Sequence, residues 1–148
     1  MSQKPMSDSN PVVIANDQSV VPVSTTSSRM PTGATAIIAG SGNVAAGSAA
    51  ATLTGTATTT VYLAGFEVTG SGATTGLPVS VTVAGLLGGS RLYTYTFAVG
   101  VLVGNAPLVV PFDPPLPASA INTAISVTCP SSGAGGTNNT VVAHGYYV

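Results

Sequence analysis

The sequence predicts an all-β fold: an antiparallel, jelly-roll-like β-sandwich of about eight strands, with an extended N-terminal arm. Helix is disfavoured because 18 Gly and 11 Pro residues, among dense Thr, Ser and Val, leave no long window of good helix formers with helical periodicity. Strands are favoured because most of the chain consists of short runs rich in Val, Thr, Tyr and Phe. Clusters of Gly, Ser, Pro and Asn separate these runs at the spacing typical of a sandwich or barrel.

Six segments are the clearest strand candidates, and three shorter segments are weaker candidates. The six are residues 59–69, 78–87, 91–99, 107–112, 120–128 and 140–148. The three are residues 34–39, 44–45 and 51–54. Together they bring the total to eight or nine, which suits a jelly roll or a related sandwich.

Alternation within these segments predicts which face of each strand is buried. Every second residue from Val79 to Val83 is valine, as in a half-buried antiparallel strand. Tyr93, Tyr95 and Phe97 likewise share one face of their strand, while smaller residues occupy the other. These patterns predict a half-buried strand for the valine segment, and one aromatic and one small face for the segment that follows it.

Residues 1–32 form the predicted arm, and residues 33–148 form the predicted sandwich domain. The prolines of the arm favour extended backbone and exclude a helix. The arm also carries six aliphatic residues that are unusual in a solvated tail, namely Val12, Val13, Ile14, Val20, Val21 and Val23. We expect these interface residues to form two short extended pieces that dock on the protein's own sheet or on a neighbour's edge. The alternative is a disordered N-terminus with incidental valines.

Charge is the most informative part of the composition. The chain has 3 Lys and Arg residues and 4 Asp and Glu residues, or 5% of its length, whereas soluble domains average about 25% charged residues. Solubility ordinarily depends on dense mixed charge and on a net charge away from zero, and a formal net charge of −1 supplies neither. We therefore expect other subunits to cover much of the surface.

The same composition argues against several classes of partner. Three scattered cations cannot form the stripe that neutralises several phosphates, so we expect no nucleic-acid binding. No apolar run approaches the roughly 20 residues that span a bilayer, and the polar start of the chain lacks the apolar region of a signal peptide. We expect no membrane insertion, and assembly in a cytoplasm where the single Cys129 has no disulfide partner.

No catalytic, cofactor-binding or metal site is predicted. His144 is the only histidine, and neither metal-ligand spacing nor a Gly-x-Ser-x-Gly elbow accompanies it, so we interpret it as a sheet or interface residue. Glycan cleavage normally needs two carboxylates in one cleft, and Glu67 and Asp113 are the only acids in the sandwich domain. Each has an ordinary explanation, because Glu67 alternates outward between Phe66 and Val68 and Asp113 opens a proline-rich turn.

Two further sets of side chains have alternative interpretations that the sequence leaves open. Arg29, Arg91, Glu67 and Asp113 are either charged pairs that fix the register of an interface or plainly solvated groups. The five tyrosines suit either the rim of the core or an interface anchor; they are Tyr62, Tyr93, Tyr95, Tyr146 and Tyr147.

Several segments of the sequence resemble segments of tailed-bacteriophage virion proteins. Residues 10–23, Asn-Pro-Val-Val-Ile-Ala-Asn-Asp-Gln-Ser-Val-Val-Pro-Val, resemble a phrase at the start of many such structural proteins. Residues 65–70 (Gly-Phe-Glu-Val-Thr-Gly), 111–117 (Pro-Phe-Asp-Pro-Pro-Leu-Pro) and 142–146 (Val-Ala-His-Gly-Tyr) are similar to small phage virion proteins, including jelly-roll capsid decoration (cement) proteins. The similarity extends over most of the chain from Pro11 onward.

The resemblance implies a non-enzymatic capsid decoration protein without a cofactor. It would form a homodimer or homotrimer on the capsid surface of the virion and bridge neighbouring subunits of the major capsid protein, after assembly in the host cytoplasm. The N-terminal phrase is also found in tail and fibre proteins, so the alternative is a tail, baseplate or head-fibre module that binds host surface glycans. The absence of Trp weakens that alternative, and a cell-wall hydrolase is disfavoured by the missing acid–base groups.

Overall fold

The computed structural model describes residues 30–74, 76, 78–101, 103–133 and 137–148. Within these ranges the chain forms nine β-strands and no helix, and so the described residues contain no helix that could cross a membrane. The strands are β1 (Thr35–Gly40), β2 (Val44–Ala45), β3 (Ala49–Leu53), β4 (Val61–Ser71), β5 (Pro78–Ala84), β6 (Arg91–Thr96), β7 (Leu108–Pro117), β8 (Ile125–Cys129) and β9 (Asn138–Tyr147).

The strands form two sheets in which every pairing between strands is antiparallel. Sheet A has the order β1-β9-β4-β7, and β2 also pairs with β9. Sheet B has the order β3-β8-β5-β6. Their facing side chains form one buried core, so the architecture is a β-sandwich.

The strand order follows from one long hairpin folded over on itself. β5 pairs with β6 at the closed end, and then β4 with β7, β3 with β8, and β1 and β2 with β9. Folding this ribbon over adds the β4–β9 and β5–β8 pairings. The result is a jelly roll, so the predicted all-β antiparallel sandwich is confirmed.

The core consists of the inward-facing residues of both sheets. In β3 and β8 every second residue is buried, and Phe66, Phe97 and Leu63 are among the largest side chains with almost no exposed surface. Full burial stabilises an aliphatic or aromatic side chain by about 1.5–3 kcal/mol. The predicted half-buried valine strand is confirmed, because Val81 and Val83 are buried while their neighbours along the strand are more exposed. Phe97 is buried as well, so the aromatic face of its segment points into the core.

Three predicted strands are shorter than expected. β5 ends at Ala84 and not at residue 87. β6 stops at Thr96 and not at residue 99, because the side chain of Asn105 accepts a hydrogen bond from the Ala98 amide and donates one to the Thr96 carbonyl at 2.7 Å. These bonds satisfy backbone groups that would otherwise need a strand partner. β8 starts at Ile125 and not at residue 120, since the preceding residues form a turn in which Asn122 has φ 58°.

The prediction that Asp113 opens a turn after a strand ending at residue 112 is wrong. β7 continues to Pro117, and Asp113 lies in a bulge within it. Leu63 and Gly65 of β4 pair with Leu116 and Pro111, so residues 112–115 of β7 lie opposite the single residue between them. Proline is tolerated here because β7 is an edge strand and the bulge needs no ladder hydrogen bonds.

A second irregularity lies between β4 and β9, where Gly145 pairs with Leu63 and His144 pairs with Gly65. A Cβ atom built on Gly145 would lie 1.9 Å from the carbonyl oxygen of Tyr62. Only glycine allows this close approach of the two backbones.

Replacing Gly145 by alanine is therefore expected to destabilise the fold by about 2–4 kcal/mol, because β4 and β9 must separate to admit the methyl group. The matched control is Gly104→Ala, since a Cβ atom at Gly104 would have no heavy atom within 4 Å. Urea unfolding followed by circular dichroism measures both changes. Equal stability of the two variants would contradict the proposed backbone contact.

Candidate interaction surfaces

An apolar groove of about 480 Å³ lies on the face of sheet A that points away from sheet B. Its position follows from the alternation in β1, where Ile37 and Ala39 pack against the core while Ala36 and Ile38 face outward. Among the described residues, no Asp, Glu, Lys or Arg lines the groove. It is lined by Met30, Ala36, Ile37, Ile38, Ala64, Pro111, Phe112, Pro115, His144, Gly145 and Tyr146.

The two irregularities in sheet A create this groove. Ala64 and Gly145 provide a floor of small residues where β4 and β9 shift register. The β7 bulge contributes Phe112 and Pro115 on one side, and Ile38 of β1 lies on the other. The groove is therefore a built feature of the bulged sheet and not a gap between loops.

His144 lies exposed in this groove on β9, and Gly65 makes room for its ring. A Cβ atom at Gly65 would lie 2.9 Å from Cε1 and 3.0 Å from Nε2 of His144. Among the residues that the structure describes, no group of three or more His, Cys, Asp or Glu side chains could hold a metal ion. His144 is therefore a sheet residue with an exposed side chain, and its role at an interface stays a prediction.

The tyrosines divide between the core and the outer face. Tyr93, Tyr95 and Tyr147 are half-buried and pack against the core. Tyr62 and Tyr146 stack with ring centroids 5.0 Å apart at the end of the groove, and burial raises the pKa of Tyr146, with a smaller contribution from Tyr62. The first set therefore serves the rim of the core, and the stacked pair extends the apolar outer face.

A cluster of aromatic rings joins the β6 edge of sheet B to the β7 edge of sheet A. Phe66 contacts Tyr93 edge-on at 5.3 Å and Phe112 at 6.2 Å between ring centroids. The guanidinium carbon of Arg91 lies 5.9 Å from the centroid of the Phe112 ring, within the range of a cation–π interaction. Arg91 thus has a contact within the domain that the sequence did not predict.

Two of the other candidate charged residues, Glu67 and Asp113, lie on sheet A. Glu67 is exposed between the buried Phe66 and Val68, as predicted, and Asp113 is exposed in the β7 bulge. Arg29 lies outside the described residues, as do the six aliphatic arm residues Val12, Val13, Ile14, Val20, Val21 and Val23. Pairing of these charges across an interface, and docking of the arm, stay predictions.

The two ends of the sandwich each expose aliphatic side chains. At one end, the β6–β7 connection exposes Val99, Val101 and Val103 and is held by hydrogen bonds to the β4–β5 connection. At the opposite end, Leu87 and Ile121 are exposed in neighbouring loops. Exposed aliphatic residues at both ends and a groove on one face leave the described body with several apolar contact surfaces.

Comparisons of the chain with protein-family models, with curated proteins and with solved structures found no match. Its function is therefore inferred from the chemistry of its own surfaces and from the sequence.

The sequence analysis predicted neither the groove nor the Arg91–Phe112 contact. The sequence does carry a signal for the groove, because Ala64-Gly65 breaks the alternation of its strand and three prolines interrupt residues 111–115. Such breaks mark bulges in edge and neighbouring strands. The contact of Arg91 has no local signal, since it depends on which edges of the two sheets come together.

Cys129 is fully buried in β8, and burial raises the pKa of its thiol. A buried thiol with a raised pKa forms little of the reactive thiolate at neutral or mildly alkaline pH. We expect native protein to react with a thiol reagent at pH 8 at least about 100 times more slowly than urea-unfolded protein. Absorbance of the released chromophore measures both rates, and similar rates in the two states would contradict the burial of this side chain.

Proposed function

We propose that this chain is a bacteriophage capsid decoration (cement) protein that oligomerises on the head exterior and stabilises contacts between major capsid subunits. The observation that carries the proposal is a surface with very few charges and many exposed aliphatic residues. In the described body, Glu67, Arg91 and Asp113 are the only side chains of the Asp, Glu, Lys and Arg types. Ile38, Leu92 and Val101 are each more than two-thirds exposed.

Physical chemistry supports a structural role for such a surface. Burial of apolar area contributes about 25 cal/mol per Å² before the costs of ordering and desolvation are subtracted. A charge-poor surface has few ionic groups to desolvate when another protein covers it. Because a capsid repeats the same site many times, modest contacts at each copy are sufficient.

The fold also suits repeated assembly at a surface. Proline and a bulge in β7 hinder addition of a further strand at that edge of sheet A. Near this edge, contacts would therefore form through side chains and not through a shared sheet. The sheet face and the two ends offer further apolar contacts, and the arm would reach onto a neighbour or onto the capsid.

The arm is tested with capsids assembled without this protein. Deleting residues 1–29 is expected to leave a folded body that no longer remains on these shells, because the aliphatic residues of the arm are lost. Co-sedimentation with the shells measures occupancy, and thermal unfolding checks that the body is intact. A second variant keeps the length of the arm and replaces its six aliphatic residues by threonine. It is expected to behave like the deletion, because the aliphatic side chains and not the length of the arm hold the protein on the shells.

Unchanged occupancy by both variants would overturn the role of the arm. A full-length protein that ignores the shells and stays monomeric at high concentration would overturn the decoration proposal itself. Copy number separates a tail or baseplate location from decoration of the head. A tail or baseplate module would be present at a number set by tail symmetry, on the order of ten, whereas a decoration protein would be present in hundreds of copies. Quantitative gel densitometry of purified virions measures it.

A further inference from the structure

We propose that the groove on sheet A is the docking site for residues 20–23 of the same chain, Val-Val-Pro-Val. The inference concerns the protein before it meets any capsid, and so it goes beyond the proposed function. Its first support is position. Met30, where the described body begins, is itself part of the groove lining, so the arm joins the body at the groove.

The length of the connecting segment fits this arrangement. Residues 24–29 separate the Val-Val-Pro-Val segment from Met30, and an extended chain of this length spans about 20 Å. A four-stranded sheet is only about 15 Å wide between its outer strands. The segment can therefore lie back across the groove, whereas residues 12–14 are attached through a much longer tether.

Chemical complementarity is the second support. Within the part of the chain that the structure describes, the groove is lined by aliphatic and aromatic side chains and by His144, and by no Asp, Glu, Lys or Arg. Residues 18–28 likewise carry no charge, whereas Asp17 follows closely on the other aliphatic piece of the arm. Docking of Val21 and Val23 would therefore place an uncharged segment against an apolar lining.

Backbone chemistry favours docking on the face of the sheet over addition to its edge. Pro22 has no N–H to donate to a ladder, and it favours an extended conformation. In extended chain Val21 and Val23 point to the same side, so both can enter the groove together. The short tether also gives the segment an effective concentration in the millimolar range, which favours its own groove over that of a second copy in dilute solution.

Disulfide cross-linking in the full-length protein tests the proposal. Val21→Cys is combined with Ile38→Cys in the groove, or with Leu92→Cys on the outer face of sheet B as the matched control. Ile38 and Leu92 are 75% and 69% exposed, so both positions accept cysteine without loss of core packing. The buried Cys129 is present in both variants and takes no part.

Under mild oxidation at micromolar protein, the groove pair is expected to form an intramolecular disulfide at least about ten times faster than the control pair. Non-reducing gels and intact mass follow the product, and Val23→Cys with Ile38→Cys is expected to give the same result. Equal rates for groove and control pairs, or no cross-link in either groove pair, would overturn the proposal. Predominance of disulfide-linked dimers would also overturn it, by showing that a second copy supplies the segment. Because no capsid is present, failure here leaves the shell-binding result unaffected.

Discussion

The whole of sheet A depends on the insertion of β9 between β1 and β4. β1 and β2 pair with β9 and with no other described strand, and β4 pairs with β9 along its full length. The last strand of the chain is therefore the element that holds the first strands in place. This pairing also positions His144 and Gly145 in the groove, so the most distinctive surface of the molecule forms only when the C-terminal strand has been incorporated.

The fold class could be predicted because it depends on local patterns. Valines at alternate positions from Val79 to Val83, and aromatics at alternate positions from Tyr93 to Phe97, mark half-buried strands without reference to any partner. The two-residue strand at Val44–Ala45 was also predicted with its observed limits. The ends of some strands could not be predicted, because groups outside the strand fix them. The side chain of Asn105, for example, fixes the end of β6.

For the candidate surfaces, the sequence predicted the chemical character but not the shape or the position. Scarcity of charge indicated a surface suited to association, but its shape depends on where bulges fall and on which strands they face. Ala64 and the proline-rich part of β7 form opposite sides of one groove only because β4 and β7 are neighbours in sheet A. Likewise, Arg91 reaches the Phe112 ring because the β6 and β7 edges lie on the same side of the sandwich.

The proposed function rests on the inference that a surface with so few ionic groups is covered by other subunits. Cryo-electron microscopy of the intact virion tests this claim most directly. Sandwiches of this fold are expected in many copies on the outside of the shell, with their apolar faces and ends in contact with the capsid or with each other. Density for this fold only at the tail, or sandwiches whose apolar surfaces all face solvent, would contradict it.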